Sequence, residues 1–232
     1  MDMFANWVRS CDKHGIDPRA WTLIFVFDSE SARQVEQFGF SVFHDEKSYG
    51  NQPTDAAQSF GDKKFSRLMF AKTAIVQDVL LLGHHVLFQD ADIVWKKDPM
   101  AFFLHPSRQE LDAQFMYDGP SRYFEPLHAN SGFFFLKNTV ESRIFWNMVF
   151  ENYDKILHYG SQQKVVNIVL LSRFFRGLKI DILPEMDFAN GHLFCEDKPI
   201  RLPEEPYVIH CSWTRNIQHK IEKYKNANLW YL

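Results

Sequence analysis

The sequence has few cysteines and no long apolar segment. Its three cysteines, Cys11, Cys195 and Cys211, allow one disulfide at most and lack metal-ligand spacing, which excludes a disulfide framework and a cysteine zinc site. No apolar run approaches the ~20 residues that a membrane helix needs. The first four residues are not typical of a signal peptide. We expect no membrane span in this chain, and its cysteines leave the compartment open.

A bias toward charge of one sign is also missing. The 26 basic and 29 acidic side chains give a net charge of −3, which is not typical of a general nucleic-acid binder or membrane-surface binder. Aromatic residues are plentiful, with 23 Phe among 232 residues, and they favour a well-packed interior over disorder. Without internal repeats, this length predicts a single domain over residues 1–232.

Apolar strands alternate with helices along the chain. Apolar periodicity and caps predict helices over residues 3–14, 30–38, 63–82, 139–155, 161–174 and from about 217. Strands are predicted over residues 23–27, 42–43, 85–89, 114–117, 133–136, 179–183 and 207–209. The pattern predicts an α/β fold with a mostly parallel sheet covered by helices on both faces.

Two acidic residues interrupt the most apolar part of the sequence. Asp90-Ala91-Asp92 follows the run Val86 to Gln89, and the apolar run Ile93 to Trp95 resumes at once. A buried carboxylate is costly unless a positive charge compensates it. A divalent cation with hard oxygen ligands, Mg²⁺ or Mn²⁺, would compensate both acids. The alternative is a strand that ends in a polar turn, where Asp is common.

Four polar residues of ligand type follow predicted strands. Asp28, Asp90, Asp92 and His210 each lie at a strand end. Ligands of open α/β sheets bind beyond the carboxyl ends of the strands, so we expect the four to form one site. His210 would be the third metal ligand, although a lone His at a strand end is often a structural hydrogen-bonding group.

Several further residues have both a functional and a structural interpretation. Lys72 lies on the apolar stripe of helix 63–82, where it must extend to solvent, pair with an acid or face an anion. Asn130-Ser131-Gly132 would let a ligand approach the backbone or form an ordinary turn. Gln163 and Asn167 share one helix face, and Arg67 and Lys220 are exposed basic residues unless a phosphate lies beside them.

The combined motifs resemble those of GT-A fold nucleotide-diphospho-sugar transferases that include plant and algal α-xylosyl- and arabinosyltransferases. The matching segments, within about residues 5–230, are 65–72, 86–99 (VLFQDADIVWKKDP), 130–132, 163 with 167, 183–184, 188–191, and 210 with 220. The resemblance implies a metal-dependent glycosyltransferase that retains anomeric configuration. Its donor would be a nucleotide diphosphate sugar, on this resemblance a UDP-sugar, and its acceptor a glycan or glycoprotein.

The resemblance also implies roles for individual residues. Asp90, Asp92 and His210 would bind Mn²⁺ or Mg²⁺, and Asn130 and Gln163 would join the two acids in catalysis, with Gln163 facing the anomeric carbon. The donor-binding residues would be Asp28 near the nucleotide base or ribose, Arg67, Lys72, Ala91, Ser131, Gly132, Gln162, and Lys220 at the diphosphate. Residues 1–110 would form the nucleotide-binding half, and residues 111–232 the half that completes the metal and acceptor sites.

Two positions depart from the pattern of that family. Gln162-Gln163 replaces its usual Asp-Gln pair, and the chain begins at the first helix rather than at the nucleotide-binding strand that opens such folds. We therefore expect either a trimmed start or a differently built nucleotide edge. A soluble domain is expected, in the Golgi lumen if an upstream membrane anchor was removed and in the cytoplasm otherwise.

Two other functions remain as alternatives. Asp90 to Val94 fits the DxDx(T/V) motif of haloacid-dehalogenase-like phosphatases, but that motif normally lies on the first strand. A transferase-like protein that binds a nucleotide or glycan without turnover would account for Gln162. Acceptor contacts are expected from the loops at 44–62 and 118–130, with Tyr123, Phe124 and Trp213 available to stack on sugar rings.

Overall fold

The structure, a computed structural model, describes residues 1–45, 63–172, 177–194 and 202–232 of the chain. The α-helices in these residues are α1 (Asp2–Lys13), α2 (Ser29–Gln37), α3 (Lys63–Leu81), α4 (Pro99–Phe103), α5 (Val140–Glu151), α6 (Tyr153–Tyr159), α7 (Gln162–Leu170) and α8 (Ile217–Asn226). The strands are β1 (Leu23–Val26), β2 (Ser41–His44), β3 (Val86–Gln89), β4 (Ile93–Trp95), β5 (Ala113–Tyr117), β6 (Ala129–Leu136), β7 (Ile180–Leu183), β8 (Phe188–Asn190) and β9 (Val208–His210). None of the described helices combines the length and apolarity needed to cross a bilayer.

The helices begin where the sequence predicts caps. Thr139 and Ser161 accept hydrogen bonds from backbone N–H groups in the first turns of α5 and α7, which stabilises each helix start. The predicted helix over 139–155 is two helices, because the Asn152 side chain bonds the carbonyl of Met148 (2.6 Å) where α5 ends. The predicted helix over 161–174 ends earlier, at Leu170, and residues 173–176 lie outside the described residues.

The α/β class is confirmed, but the sheets are mixed rather than mostly parallel. The described strands form sheets of order β1-β2, β3-β6-β5-β7 and β4-β9-β8. The pairs β1-β2, β5-β7 and β8-β9 are parallel, whereas β3-β6, β5-β6 and β4-β9 are antiparallel. A parallel pair needs a crossover connection, and β5 instead returns to β6 through the loop at 118–128.

Strand β6 begins four residues before the predicted strand and includes Asn130-Ser131-Gly132. Its pairing with β5 shifts from Phe134 opposite Phe115 to Asn130 opposite Met116. Phe115 and Met116 are consecutive in β5, but three residues separate their pairing partners in β6. This irregularity is a large bulge. Bulges next to functional sites redirect side chains, and this one frees Ser131 and Gly132 from regular pairing. The segment 130–132, for which an ordinary turn is one of two interpretations of the sequence, is thus part of a strand.

Apolar clusters cover both faces of β6, as its apolar run Phe133 to Leu136 predicts. Phe134 packs with Trp146 and Val166 in the cluster formed with α3, α5 and α7. Phe133 and Phe135 face a second cluster that includes Trp7 of α1. A third cluster joins β4 and β9 to Tyr224 of α8 and Leu229. Apolar side chains therefore pack against both the β3-β6-β5-β7 sheet and the β4-β9-β8 sheet. This packing fixes the position of the connection between β3 and β4.

Candidate active site

The acidic pair lies where the chain passes from one sheet to another. Asp90-Ala91-Asp92 connects β3 to β4, which belong to different sheets. The Asp90 N–H donates to the carbonyl of Gly132 on β6 (2.8 Å). The carbonyl of Asp92 accepts from the Tyr224 hydroxyl (2.8 Å). Hydrogen bonds from their backbone groups to β6 and to α8 therefore hold the two acids in place.

Each acid has a lysine partner from a different helix. Lys72 lies on the buried stripe of α3, and its Nζ is 2.8 Å from Asp90 Oδ1. It pairs with an acid, which is one of the outcomes open to a lysine on an apolar stripe. Lys220 lies one turn before Tyr224 on the same face of α8, and its Nζ contacts Asp92 Oδ2. The two carboxylates are thus balanced by two ammonium groups.

Asp92 is held in its ionised form despite its burial. Burial alone would raise the pKa of this carboxyl group, but the charges of Lys220 and His210 and their hydrogen bonds lower it well below its usual range. Burial likewise opposes the charge on Lys220, and Asp92 nevertheless raises the pKa of the ammonium group. Both shifts favour the charged pair.

His210 completes a cluster of ligand atoms around the acids. One ligand atom each from Asp90, Asp92 and His210 lie within 4.8 Å of one another. His210 Nε2 is 3.5 Å from Asp92 Oδ1, and Nδ1 is buried without a hydrogen-bond partner among the described residues. Two carboxylates and one imidazole suit Mn²⁺ or Mg²⁺. These residues fit a divalent cation.

Gly132 has no Cβ atom, and the cluster of Asp90, Asp92 and His210 occupies the space that a Cβ atom would need. A Cβ atom at position 132 would overlap His210 Cε1 and lie 2.7 Å from Asp90 Oδ2. The glycine in Asn130-Ser131-Gly132 is therefore required by a close approach of two side chains to the β6 backbone.

Asp118 is a further buried acid that the sequence reasoning missed. It follows β5 directly, just as Asp90 follows β3, so the same strand-end signal could have identified it. Its Oδ1 accepts from Asn130 Nδ2 (2.6 Å) and its Oδ2 from Gln163 Nε2 (2.7 Å). Its backbone carbonyl accepts from the indole N–H of Trp213 (2.9 Å).

A cavity of about 390 Å³ unites these groups. Its lining includes the acids Asp90, Asp92 and Asp118, the basic residues Lys72, Lys220 and His210, and the polar residues Asn130, Ser131, Gln163 and Thr214, together with Gly132 and Trp213. A volume of this size is typical of a small-molecule site.

Four of the predicted donor-binding residues lie outside that lining, as far as the described residues show. Asp28 caps α2, where its oxygens accept from Ser31 N and Oγ (both 2.7 Å). Arg67 and Ala91 are exposed. Gln162 is fully buried, and neither atom of its amide has a partner among the described residues.

Asn167 has a structural role. Its amide bonds both the N–H and the carbonyl of Ala129, each at 2.8 Å, and so attaches α7 to β6. This attachment places Gln163, one turn earlier on α7, opposite Ser131.

Similarity to known proteins identifies the family of this chain. The model of the nucleotide-diphospho-sugar transferase family matches residues 20–223. The UDP-galactose:fucoside alpha-3-galactosyltransferase of Dictyostelium discoideum is 28% identical over 82% of this chain and 32% of its own length. An arabinosyltransferase of Arabidopsis thaliana is 22% identical over 96% of this chain and 38% of its own length. The chain thus spans about a third of the length of these relatives.

Two solved structures share the fold at low sequence identity. A glycosyltransferase involved in glycosylating the major capsid of PBCV-1 has a TM-score of 0.51 and 17% identity, over 88% of this chain and 97% of its own. An active-site mutant of LgtC has a TM-score of 0.53 and 13% identity, over 98% of this chain and 92% of its own. The GT-A fold and the family predicted from the sequence motifs are confirmed. The chain belongs to the nucleotide-diphospho-sugar transferase family.

Proposed function

We propose that this chain moves a sugar from a UDP-sugar to a hydroxyl group of a glycan or glycoprotein, with a divalent cation and with retention of configuration. The observation that supports this most is the convergence of Asp90, Asp92 and His210 within 4.8 Å in a cavity that two lysines also line. A carboxylate pair with an imidazole would hold Mn²⁺ or Mg²⁺, and the lysines add positive charge for a diphosphate.

Lys220 would stabilise the leaving group. Breaking a glycosyl–diphosphate bond leaves a nucleoside diphosphate with additional negative charge, and fixed positive charges beside it lower the barrier. A divalent cation bound by the acids and His210 would supply further charge neutralisation. Lys220 and Lys72 enter the cavity from two helices, so ammonium groups approach the diphosphate site from two directions.

Residues of β6 and α7 would hold the transferred sugar. Asn130, Ser131 and Gly132 line the cavity at the bulge, and Gln163 faces them from α7. The sugar develops oxocarbenium character in the transition state, which oriented oxygen atoms near the anomeric carbon stabilise. Gln163 is our candidate for that position, and retention is proposed from the resemblance to retaining enzymes.

Aromatic rings near the end of β5 and after β9 would bind the acceptor. Trp213 lines the cavity and is 41% exposed, and Tyr123 is 82% exposed. Exposed rings present apolar faces to sugars. Phe124 instead stacks on His128, with ring centroids 5.6 Å apart. Most of the loop at 44–62, also predicted to contact the acceptor, lies outside the described residues.

The matching test is turnover of a panel of nucleotide sugars. Purified protein is incubated with UDP-galactose, UDP-xylose, UDP-arabinose, UDP-glucose and GDP-mannose, with Mn²⁺ or with a chelator, and release of the nucleotide is measured. We expect one UDP-sugar to be consumed only with Mn²⁺, and Lys220→Met to lower kcat about 100-fold. Lys225 is an exposed lysine on the same helix, and the Lys225→Met variant should retain full activity. Consumption that continues with the chelator would contradict the proposal.

Gln162 supports a second candidate, a protein that binds a nucleotide sugar without transfer. Glutamine replaces an acid of the family pattern, and its amide is buried away from the cavity. Metal-dependent binding of a nucleotide sugar with no turnover and no transfer to any acceptor would favour this candidate. The phosphatase alternative is not supported, because the chain belongs to a different family.

A further inference from the structure

Asp118 accepts hydrogen bonds from two side-chain amides, and the surrounding network fixes which end of each amide faces it. It is buried, and each of its oxygens accepts from a different side-chain amide, that of Asn130 (2.6 Å) or that of Gln163 (2.7 Å). An ionised carboxylate only accepts hydrogen bonds. The nitrogen end of each amide must therefore face Asp118.

The opposite ends of both amides are also fixed. Asn130 Oδ1 accepts from the backbone N–H of Gly132 (2.7 Å), and Gln163 Oε1 accepts from that of Ser131 (3.1 Å). A backbone N–H only donates. Turning either amide by 180° would place oxygen against a carboxylate and N–H against N–H, two repulsive contacts at once.

Asp118 is itself anchored by backbone bonds. Its N–H donates to the carbonyl of His128 (3.0 Å), and its carbonyl accepts from Trp213 Nε1 (2.9 Å). His128 Nε2 also lies 3.6 Å from Asp118 Oδ2. The carboxylate is therefore a rigid reference to which the amides of Asn130 and Gln163 are oriented.

We propose that Asp118 is a positioning residue that locks the side-chain amide of Gln163, and with it that of Asn130, so that the Gln163 carbonyl oxygen faces the transferred sugar. This inference rests on the proposed function, since it assigns Gln163 to the sugar. Asp118 acts through the two amides. Misplacing a reacting group by about 1 Å costs on the order of 100-fold in rate.

A pair of isosteric substitutions tests the lock. In Asp118→Asn, one N–H of residue 118 must face the N–H of Asn130 or Gln163, so one amide turns. In Gln163→Glu, two carboxylates face each other. The double variant restores the network: Asn at 118 accepts from Asn130 and donates to Glu at 163, which still accepts from the Ser131 N–H. The formal charge of the double variant equals that of the wild type.

The rates of the three variants decide the proposal. We expect kcat to fall about 100-fold in Asp118→Asn, with UDP affinity within threefold of the wild type. The double variant should recover at least about tenfold over the slower single variant, because the hydrogen bonds are complete again. A kcat of Asp118→Asn within threefold of the wild type would overturn the proposal. So would a double variant no faster than the slower single, as expected if the Asp118 charge acts on the sugar directly.

A second readout does not depend on turnover. The NMR signals of the Gln163 side-chain NH₂ group are assigned by their loss in Gln163→Glu. The protons of this group should exchange slowly with solvent in the wild type and rapidly in Asp118→Asn. Exchange in the wild type as fast as that of the exposed Gln109 would overturn the lock. If the wild type consumes no nucleotide sugar, the proposed function fails, and these signals alone decide whether Asp118 positions Gln163.

Discussion

At the scale of single residues, Gly132 lies against the cluster of Asp90, Asp92 and His210 that we propose to bind a metal ion. The missing Cβ leaves room for His210 and for Asp90 at the same time. Neither side chain can retreat easily, because His210 is buried and Asp90 is paired with Lys72. The position therefore links the bulge of β6 directly to the ligand geometry.

We expect Gly132→Ala to separate His210 from the acids. The added methyl group would overlap the imidazole ring, and overpacking of this kind costs about 1–3 kcal/mol of stability. Affinity for UDP with Mn²⁺, measured by calorimetry, should fall at least tenfold. Gly177→Ala is the control, since its nearest neighbour would be Glu141 Cγ at 3.7 Å. Full affinity in Gly132→Ala would show that the cluster adapts.

Cys11 is expected to lower the free energy of unfolding at alkaline pH. Burial raises the pKa of this thiol to about 12, whereas the thiol of the unfolded chain ionises near its ordinary pKa. The folded state therefore holds the proton over a range in which the unfolded state releases it, so the free energy of unfolding is intact below about pH 9 and falls above it. The loss by pH 11 is about 2–3 kcal/mol.

The check on Cys11 is denaturant unfolding at pH 8 and at pH 11. The wild type should lose about 2–3 kcal/mol more than Cys11→Ala over this interval. Equal losses in both proteins would mean that the thiol ionises as readily in the folded state as in the unfolded chain.

At the scale of elements, the contact between α7 and β6 determines the geometry of the pocket that we propose for the sugar. Asn167 bonds both backbone groups of Ala129 and the carbonyl of Gln163 (2.9 Å). The helix turn with Gln163 and the strand segment with Ser131 are thus attached through one buried side chain.

We expect Asn167→Asp to destabilise this contact although it preserves shape. The substitution removes the N–H donors to two carbonyl groups and buries a carboxylate, which costs about 2–4 kcal/mol. Thermal and denaturant unfolding measure the effect. Asn226→Asp, exposed at the end of α8, should change stability by less than about 1 kcal/mol. Equal effects of the two variants would refute the role assigned to Asn167.

Sequence patterns predicted the helices and strands better than they predicted which strands pair. Helix α3 and the caps Thr139 and Ser161 depend on local periodicity and local hydrogen bonds, which the sequence contains directly. The antiparallel pairing of β6 and its early start depend on contacts with β3 and β5, which local patterns do not specify. Asp118 has the same strand-end signal as Asp90, but its bonds to amides of β6 and α7 are contacts that local patterns do not specify.

At the scale of the whole molecule, the site lies between two sheets and the helices that cover them. Asp90 is bonded to β6 in one sheet, and Asp92 is bonded to Cys211, which follows β9 of the other sheet, and to Tyr224 of α8. Three carboxylates and two lysines line this cavity, a formal charge of −1 without counting His210, in a chain of net charge −3. Adding a divalent cation leaves an excess of positive charge that a diphosphate would balance. Metal and nucleotide should therefore bind together.

The most direct test of this claim is calorimetric titration with UDP, GDP, CDP and ADP, each with and without Mn²⁺. The wild type should bind one diphosphate, UDP in our account, only when Mn²⁺ is present. Asp92→Asn should weaken that binding at least about 100-fold, and Asp154→Asn, an exposed acid on α6, should leave it unchanged. Binding of no diphosphate, or equal binding without Mn²⁺ and in Asp92→Asn, would contradict the account.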